Sequence, residues 1–408
     1  MRVLFCTTGG LGHVLPLRPL AMALRAGGHE VAWVTAPDAL ATLQGAGFDL
    51  FVAGPDFEQG RQQFREAHAG GAHLLGEQLS AFTFPRLFGA VLAPAMLAGV
   101  DQAVRRWRPD FVVHEPAALA APLVCRQRGL HHLTHGYGLR PPASYIDEAM
   151  RCFGPSWRAR GFDAPADGGL YRHLYLDITP PSLQPLPPHE KDVYRFNPYR
   201  ARDADVESLP ADVRRLVSDP LRGPRIYVSF GTVFHRSAAF LTAARAAARL
   251  GGAVVITVGP EGDARPLQAL GAHVSVQPFV PQAALLPFCD LVVSHGGAGT
   301  LLGAAAQGVP QLVLPQAADH FRNARALVSA HAGQLVEPER QTSVDEVTAA
   351  MADVLGQGPC RVGAGRLAAE MAALPQPADA VHRLERWFTR PARAAAPTSS
   401  PTPPSGPS

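Results

Sequence analysis

Lysine is almost missing from this chain: Lys191 is the only one, and every other basic residue among the 37 Lys and Arg is an arginine. The skew points to a GC-rich coding sequence and carries no mechanism. Cysteine is sparse and scattered. Cys6, Cys125, Cys152, Cys289 and Cys360 are odd in number and form no Cys-x-x-Cys pair, so buried, reduced thiols in a cytoplasmic protein are the expectation. Charged residues make up only 17% and the net charge is +3, which implies no polyanion and hence no nucleic-acid partner. No apolar run approaches the ~20 residues of a membrane span. The run Val3-Leu4-Phe5-Cys6 is too short for a signal-peptide core, and no membrane partner is expected. No repeat of solenoid period is present. No Asp-x-Asp pair stands in a metal-binding context, so no metal is expected.

What is present is a chain of 408 residues with 47% hydrophobic content, enough for two cores. Short apolar segments with strand character alternate with helical periodicity. Arg2 to Thr8 reads as a strand that runs into Gly9-Gly10-Leu11-Gly12-His13. A helix from Pro16 to Arg25 follows, with Leu17, Leu20, Ala21 and Leu24 on one face, and ends at Gly27-Gly28. His29 to Ala36, Phe48 to Ala53, Asp110 to His114 and Leu130 to Thr134 are further strands. Residues 54 to 100 are helix-like and hold Phe57, Phe64, Phe82, Phe84, Phe88 and Met96. Residues 135 to 180 read as irregular and aromatic. Pro and charge enrichment over 197 to 224 reads as a connection between domains. The pattern then restarts: Arg225 to Phe230, Ala253 to Val258, His273 to Gln277 and Gln311 to Leu314 are strands. Strands alternating with helices imply parallel, doubly wound sheets, and such sheets bind ligands beyond the carboxyl ends of their strands. Residues 376 to 388 read as an amphipathic helix, and the Pro/Ser/Ala-rich tail 391–408 as disordered.

The most informative stretch is Leu291-Val292-Val293-Ser294-His295-Gly296-Gly297-Ala298-Gly299-Thr300, then an Ala/Leu-rich helix that stops at Gly308-Val309-Pro310. A strand, a glycine loop and a helix aim unpaired N–H groups and the positive end of a helix dipole at an anion. Thr300 adds a hydroxyl and His295 a ring donor. No Lys-Ser/Thr follows, so it is not a Walker loop.

These residues carry a resemblance. His295 to Thr300, Gly308-Val309-Pro310, and Pro315-Gln316-Ala317-Ala318-Asp319-His320-Phe321-Arg322-Asn323-Ala324 together resemble the donor-sugar signature of GT-B glycosyltransferases. The nearest subgroup is the family 1-like actinobacterial enzymes that attach deoxysugars to antibiotics. The resemblance covers residues 1 to about 388. It implies an α/β GT-B fold, with two Rossmann-like domains facing each other across a cleft. Residues 1–205 are then the acceptor-binding domain, 206–224 a linker and 225–375 the nucleotide-sugar domain. The helix 376–388 crosses back onto the first domain. The implied activity is metal-independent, inverting transfer of a sugar from a nucleotide diphosphate to a hydroxyl of a small natural-product aglycone. There is no cofactor beyond the nucleotide-sugar co-substrate, and the chain is a monomer or homodimer.

His13 follows a glycine loop at the end of the first strand. Imidazole is the side-chain type best suited to general-base work, and the resemblance places the acceptor's base there. It also places an orienting acid at Glu115, where relatives more often have Asp. The N–H groups of Gly297 to Thr300 and the His295 ring face the diphosphate, with Gly296 and Gly299 shaping the loop. Ser229, Gly231 and Thr232 form a second phosphate-facing loop. Asp319 and His320 occupy the sugar-contacting pair, with Asn323 in support. Phe279, Val280 and Gln282 match the segment that reads the base. Gly12, Phe57, Phe82, Tyr137, Tyr145 and Phe153 are the candidate acceptor contacts. His131, His132 and His135 read as strand-end histidines near the acceptor cleft.

One absence narrows the donor. UDP-sugar enzymes of this kind carry a glutamate about one turn into the helix after the glycine loop, and here that place is Gly303. Without a carboxylate the 2′-hydroxyl of uridine loses a partner, so a dTDP-linked sugar is expected. Two rivals share the architecture: an isomerase similar to UDP-N-acetylglucosamine 2-epimerase, and a non-catalytic nucleotide-sugar-binding protein. The aromatic stretches argue against the first, and intact His13 and Asp319 against the second.

Overall fold

The computed structural model describes residues 1–71, 73–185, 192–199, 206–219, 223–231, 234, 237–259, 262–356 and 358–388. Thr232 and the tail 391–408 lie outside them.

Two parallel sheets organise the chain. The first contains β1 (Arg2–Cys6), β2 (Glu30–Thr35), β3 (Asp49–Val52), β4 (Phe111–His114), β5 (His131–His135), β6 (Tyr175–Asp177) and β7 (Val193–Arg195), in the order β3-β2-β1-β4-β5-β6-β7. The second contains β8 (Arg225–Ser229), β9 (Ala253–Thr257), β10 (Val274–Gln277), β11 (Leu291–Ser294), β12 (Gln311–Val313) and β13 (Gly333–Leu335), in the order β10-β9-β8-β11-β12-β13. The central strands read as continuous apolar runs because helices cover both faces of each sheet. In the first sheet Phe5, Trp33, Phe111 and Val113 face one layer, and Leu4, Cys6, Val34 and Val112 face the other. The strand order reverses between β1 and β4 and again between β8 and β11, and each reversal opens a crevice at the carboxyl ends.

The helix Pro377–Phe388 lies on the first sheet's domain although it ends the described chain. Its Ala380, Val381 and Leu384 are buried in the layer that holds Leu20, Leu24 and Phe111, and the Phe388 ring stacks on Phe111 at 4.0 Å. The same apolar cluster continues through Leu301, Leu327, Leu367 and Met371 of the second domain, so the two lobes share buried surface.

Three readings of the sequence need correction. Residues 135–180 are not irregular throughout: Ala143–Arg158 is a helix with Pro155 inside it. Gly154 and Pro155 look like breakers, but Ile146, Ala149, Met150, Phe153 and Trp157 recur at helical spacing and are all buried, and that packing prevails. Residues 206–224 are more than a connection. The helix Ala211–Ser218 lies on the second domain, with Val213 and Val217 packed against Tyr227 and Val255 and Asp212 accepting from Ser275 (2.6 Å) and Gln277 (2.8 Å). Finally, Gly76–Trp107 forms one helical run of 32 residues, apolar and long enough to cross a membrane. Thr83, Pro85 and Arg86 interrupt the apolar count, but the helix continues through a π-helical segment, Pro85–Leu92, where the wider turn accommodates a proline that has no N–H. Its most apolar window is 56% buried within the protein, as in a core helix.

Candidate active site

The register of the first sheet assembles one half of the site. β1 and β4 are neighbours with Cys6 opposite His114, so the residues just beyond them, Thr8 and Glu115, meet. Glu115 is fully buried. Its Oε1 accepts from Thr8 N (3.1 Å) and Thr8 Oγ1 (2.9 Å), and its Oε2 accepts from Ala117 N. Gly10 turns the chain at φ 91°, a conformation that favours glycine, and opens the short helix Leu11–Val14 that carries His13. His13 Nδ1 lies 3.3 Å from Glu115 Oε1, a close contact short of hydrogen-bond alignment. Such contacts tighten when substrate binds. Burial pushes the Glu115 carboxyl up, but His13 beside it and the N–H donors of Thr8 and Ala117 outweigh this and hold it below its ordinary value. The carboxylate therefore stays ionised. Tyr137, Phe88 and Phe57 surround the imidazole with ring centroids at 4.9, 5.4 and 6.0 Å.

The second sheet repeats the logic. Ser294 at the end of β11 lies opposite Ser229 at the end of β8. Gly296 has φ 90°, and a Cβ there would stand 2.8 Å from Val313 Cγ1 and 3.1 Å from the His320 carbonyl oxygen. Gly297 starts the helix Ala298–Ala306, and a Cβ on it would strike the His295 ring at 2.7 Å. Gly299 faces open space, with nothing within 4 Å of the place a Cβ would take. The N–H groups of Ala298, Gly299 and Thr300 therefore have no partner one turn back. A polar chain runs beneath this loop. Gln282 Nε2 donates to Thr300 Oγ1 (3.1 Å) and Tyr227 OH (3.2 Å), the Tyr227 hydroxyl meets Thr257 Oγ1 (3.0 Å), and Thr257 donates to Ser229 Oγ (3.0 Å).

Between the halves lies a cavity of about 410 Å³. His13 lines it from the first domain and Asp319 from the second. The Asp319 side chain does not cap the helix His320–Ser329. Its Oδ2 accepts from Asn323 Nδ2 (2.7 Å), and Asn323 also donates to Gly296 O (2.8 Å), which ties the carboxylate to the glycine loop. Ala318 holds φ 52°, unusual for a non-glycine residue, and its carbonyl accepts from Ser80 Oγ of the first domain at 2.6 Å. Gly138 packs on the mouth of the donor helix, where a Cβ would come within 2.5 Å of Ala298 Cβ.

Residues 22–203 match the family described as erythromycin biosynthesis protein CIII-like, N-terminal domain, and residues 241–387 match the corresponding C-terminal domain. The chain belongs to this family of GT-B glycosyltransferases. It is 32% identical over 384 residues to L-demethylnoviosyl transferase of Streptomyces niveus, covering 93% of this chain and 96% of the relative. It is 32% identical over 397 residues to elloramycin glycosyltransferase ElmGT of Streptomyces olivaceus, covering 96% and 98%. The solved spinosyn rhamnosyltransferase SpnG superposes with a TM-score of 0.77 at 29% identity, covering 94% of this chain and 100% of that one.

Within this glycosyltransferase the cavity selects among the expected contacts. Phe57, Tyr137 and Tyr145 line it. Phe153 does not, because it is fully buried under the first sheet. Phe82 stands behind the wall, edge-on to Phe64 at 6.1 Å with the Arg86 guanidinium 4.2 Å above its ring. Gly12 is exposed and outside the lining. Sequence reading missed Arg61, Ser80, Thr83, Leu87, Phe234 and Arg322, which do line the cavity. Helical spacing of 57-61-64 and 80-83-84-87 was the available signal.

On the donor side His320 is buried and absent from the cavity wall. Its Nδ1 accepts from Ala317 N (3.1 Å) and Gln316 N (3.4 Å), so its ring braces the loop that presents Asp319. Phe279 is 68% exposed, Val280 is buried, and the Gln282 amide is engaged by Tyr227 and Thr300. A Cβ on Gly231 would meet the His295 ring at 3.1 Å. The histidines of β5 are not at the cleft. His132 is buried against His114 (3.0 Å), His135 against Phe196, and His131 packs near Trp387 of the last helix. Alternation along the strand sends His132 and His135 into the two core layers, while His131 stays exposed at its start. Among the described residues no group of three or more His, Cys, Asp or Glu is placed to hold a metal.

These buried imidazoles make the fold acid-labile. Burial pulls His114 and His135 down to about 4, and His295 and His320 to about 3, with the His320 ring adding to the shift at His295. Between these values and the ordinary 6.5 the unfolded chain holds more protons than the folded one, so stability falls as pH falls. Each such histidine contributes a loss of roughly 1.4 kcal/mol per pH unit in that window. Urea midpoints measured from neutrality down to about pH 4.5 are expected to drop steadily. A flat profile would contradict the burial of these rings.

Proposed function

We propose that this glycosyltransferase moves a deoxysugar from a dTDP-sugar to a hydroxyl of a small, largely apolar natural product in one inverting displacement. The reading rests on one observation: His13 and Asp319, from opposite domains, line a single cavity. His13, with Nδ1 turned to Glu115, takes the acceptor proton on Nε2. The acceptor oxygen bonds the anomeric carbon as the bond from that carbon to the diphosphate oxygen breaks. Ionised Glu115 stabilises the imidazolium. The departing dTDP anion is met by the open N–H groups of Ala298, Gly299 and Thr300 and by the dipole of their helix. Asp319 accepts hydrogen bonds from hydroxyls of the sugar. The aromatic cavity holds the aglycone.

Relatives support each half of this reading. SpnG is solved complexed with thymidine diphosphate and, separately, with spinosyn aglycone. The curated relatives include L-demethylnoviosyl transferase and the TDP-daunosamine transferase DnrS of Streptomyces peucetius. The five free thiols fit a cytoplasmic setting.

Gly303 supplies the preference for dTDP. It lies on the donor helix with no carboxylate to offer, and a Cβ there would meet Leu286 Cδ1 at 3.2 Å. Matched dTDP- and UDP-glycosyl donors are therefore expected to differ by at least about tenfold in kcat/KM, in favour of dTDP. Equal use, or a product that is an epimer instead of a new glycoside, would sink this reading.

A further inference from the structure

We propose that Arg322 determines acceptor specificity by pairing with an ionised carboxylate or phenolate on a planar aromatic aglycone. The inference rests on the reading that the interdomain cavity holds the acceptor. Arg322 belongs to the second domain, in the first turn of the helix His320–Ser329, yet its side chain crosses to the first. Its Nη2 donates to Leu139 O at 3.2 Å. Its Nε is buried with no hydrogen-bond partner. Among the described residues no carboxylate stands within ion-pair distance of it, whereas Arg61, which also lines the cavity, reaches Glu58 at 3.9 Å. Arg65 pairs with Glu58 at 2.8 Å, and Arg325 pairs with Glu77. The remaining acid of the wall, Asp319, is bonded to Asn323.

A guanidinium held in an apolar wall with one neutral carbonyl as partner is incompletely satisfied. Its planar fork matches a carboxylate or phenolate better than any neutral group. The rest of the wall is rich in aromatic rings, which offer faces and edges to an aromatic body. Phe84 and Phe88 have centroids 5.0 Å apart, Phe84 and Tyr145 5.9 Å, and Phe57 and Phe88 6.4 Å, the spacings at which aromatic rings pack on one another. An aromatic body with an acidic edge satisfies both features of the wall.

The test uses rhein, a dihydroxyanthraquinone carboxylic acid, and its methyl ester. On the free enzyme near neutral pH, rhein is expected to bind at least about tenfold more tightly than the ester, read by calorimetry or fluorescence quenching. In R322Q the two bind alike. In R322K, which keeps the charge without the fork, part of the preference remains. The comparison on the unaltered enzyme needs no variant, so a poorly folded R322Q leaves it decidable. Equal binding of acid and ester, or binding of neither, overturns the proposal. So does an R322Q effect confined to dTDP binding with the acid preference intact, which assigns Arg322 to the donor diphosphate. An acid preference without glycoside formation from any dTDP-sugar defeats the functional reading and leaves this inference standing. Glycoside formation without an acid preference does the reverse.

Discussion

His13→Ala lowers the rate of glycoside formation by at least ~10²-fold while dTDP binding persists. The expectation follows from where the side chain stands. His13 is on the first domain, packed among Phe57, Phe88 and Tyr137, and the open helix N-terminus that would hold the diphosphate is on the second. Truncating the ring removes the base without touching the anion site. Glu115→Gln tests the same unit from the other side. The amide removes the negative charge beside His13. It also turns an NH₂ toward donors, because one carboxylate oxygen faces Thr8 N and Oγ1 and the other faces Ala117 N. That clash costs about 1–3 kcal/mol of stability, and the rate falls as well. If the two residues act as one unit, the double variant is little slower than the slower single variant. Steady-state rates for the three variants, with dTDP affinity by calorimetry, decide the matter. Unchanged turnover in His13→Ala, or fully multiplicative losses, would falsify the assignment.

A chain ending at Gln376 is expected to lose its stable fold, in contrast to one ending at Phe388. The twelve residues between form the helix Pro377–Phe388. Leu384 is fully buried, Val381 is 3% exposed, and Phe388 stacks on Phe111 of β4. Each fully buried side chain removed costs roughly 1.5–3 kcal/mol, so Val381 and Leu384 account for about 3–6 kcal/mol, and the partly buried Trp387 and Phe388 bring the total to on the order of 6 kcal/mol or more. That is comparable to the whole stability of an ordinary domain, about 5–15 kcal/mol. The loss exposes Phe111 on the strand whose end carries Glu115, so the active-site half should loosen first. Thermal melts of the two truncated chains check this, and melting points within a few degrees of each other would refute it.

Much of the donor side was legible because its signals are local. Gly296 cannot carry a side chain against Val313 and the His320 carbonyl, and the unpaired N–H groups of Ala298 to Thr300 follow from the loop-to-helix transition. The acceptor side was read only in outline. Phe57, Phe82 and Phe153 are indistinguishable as residue types, yet one lines the cavity, one stands behind its wall and one is core. Arg322 lies inside the Pro315–Ala324 string, but nothing in that string shows that its side chain crosses to the other lobe. His320 sits in the motif expected to contact the sugar, and only the structure shows that its Nδ1 is engaged by the amides of Gln316 and Ala317.

The sequence by itself determined two parallel α/β lobes, a glycine-turned helix mouth with open N–H groups and a histidine just beyond the end of β1. Hydrophobic period, glycine placement and capping act within a few residues and survive without the rest of the chain. Only the tertiary structure decided that Glu115 meets His13 and Thr8, that Asp319 shares a cavity with His13, and that Arg322 reaches it from the other lobe. Those meetings depend on the register between β1 and β4 and on the closure of one lobe against the other. Both are set by packing between residues a hundred or more positions apart, which no local pattern records.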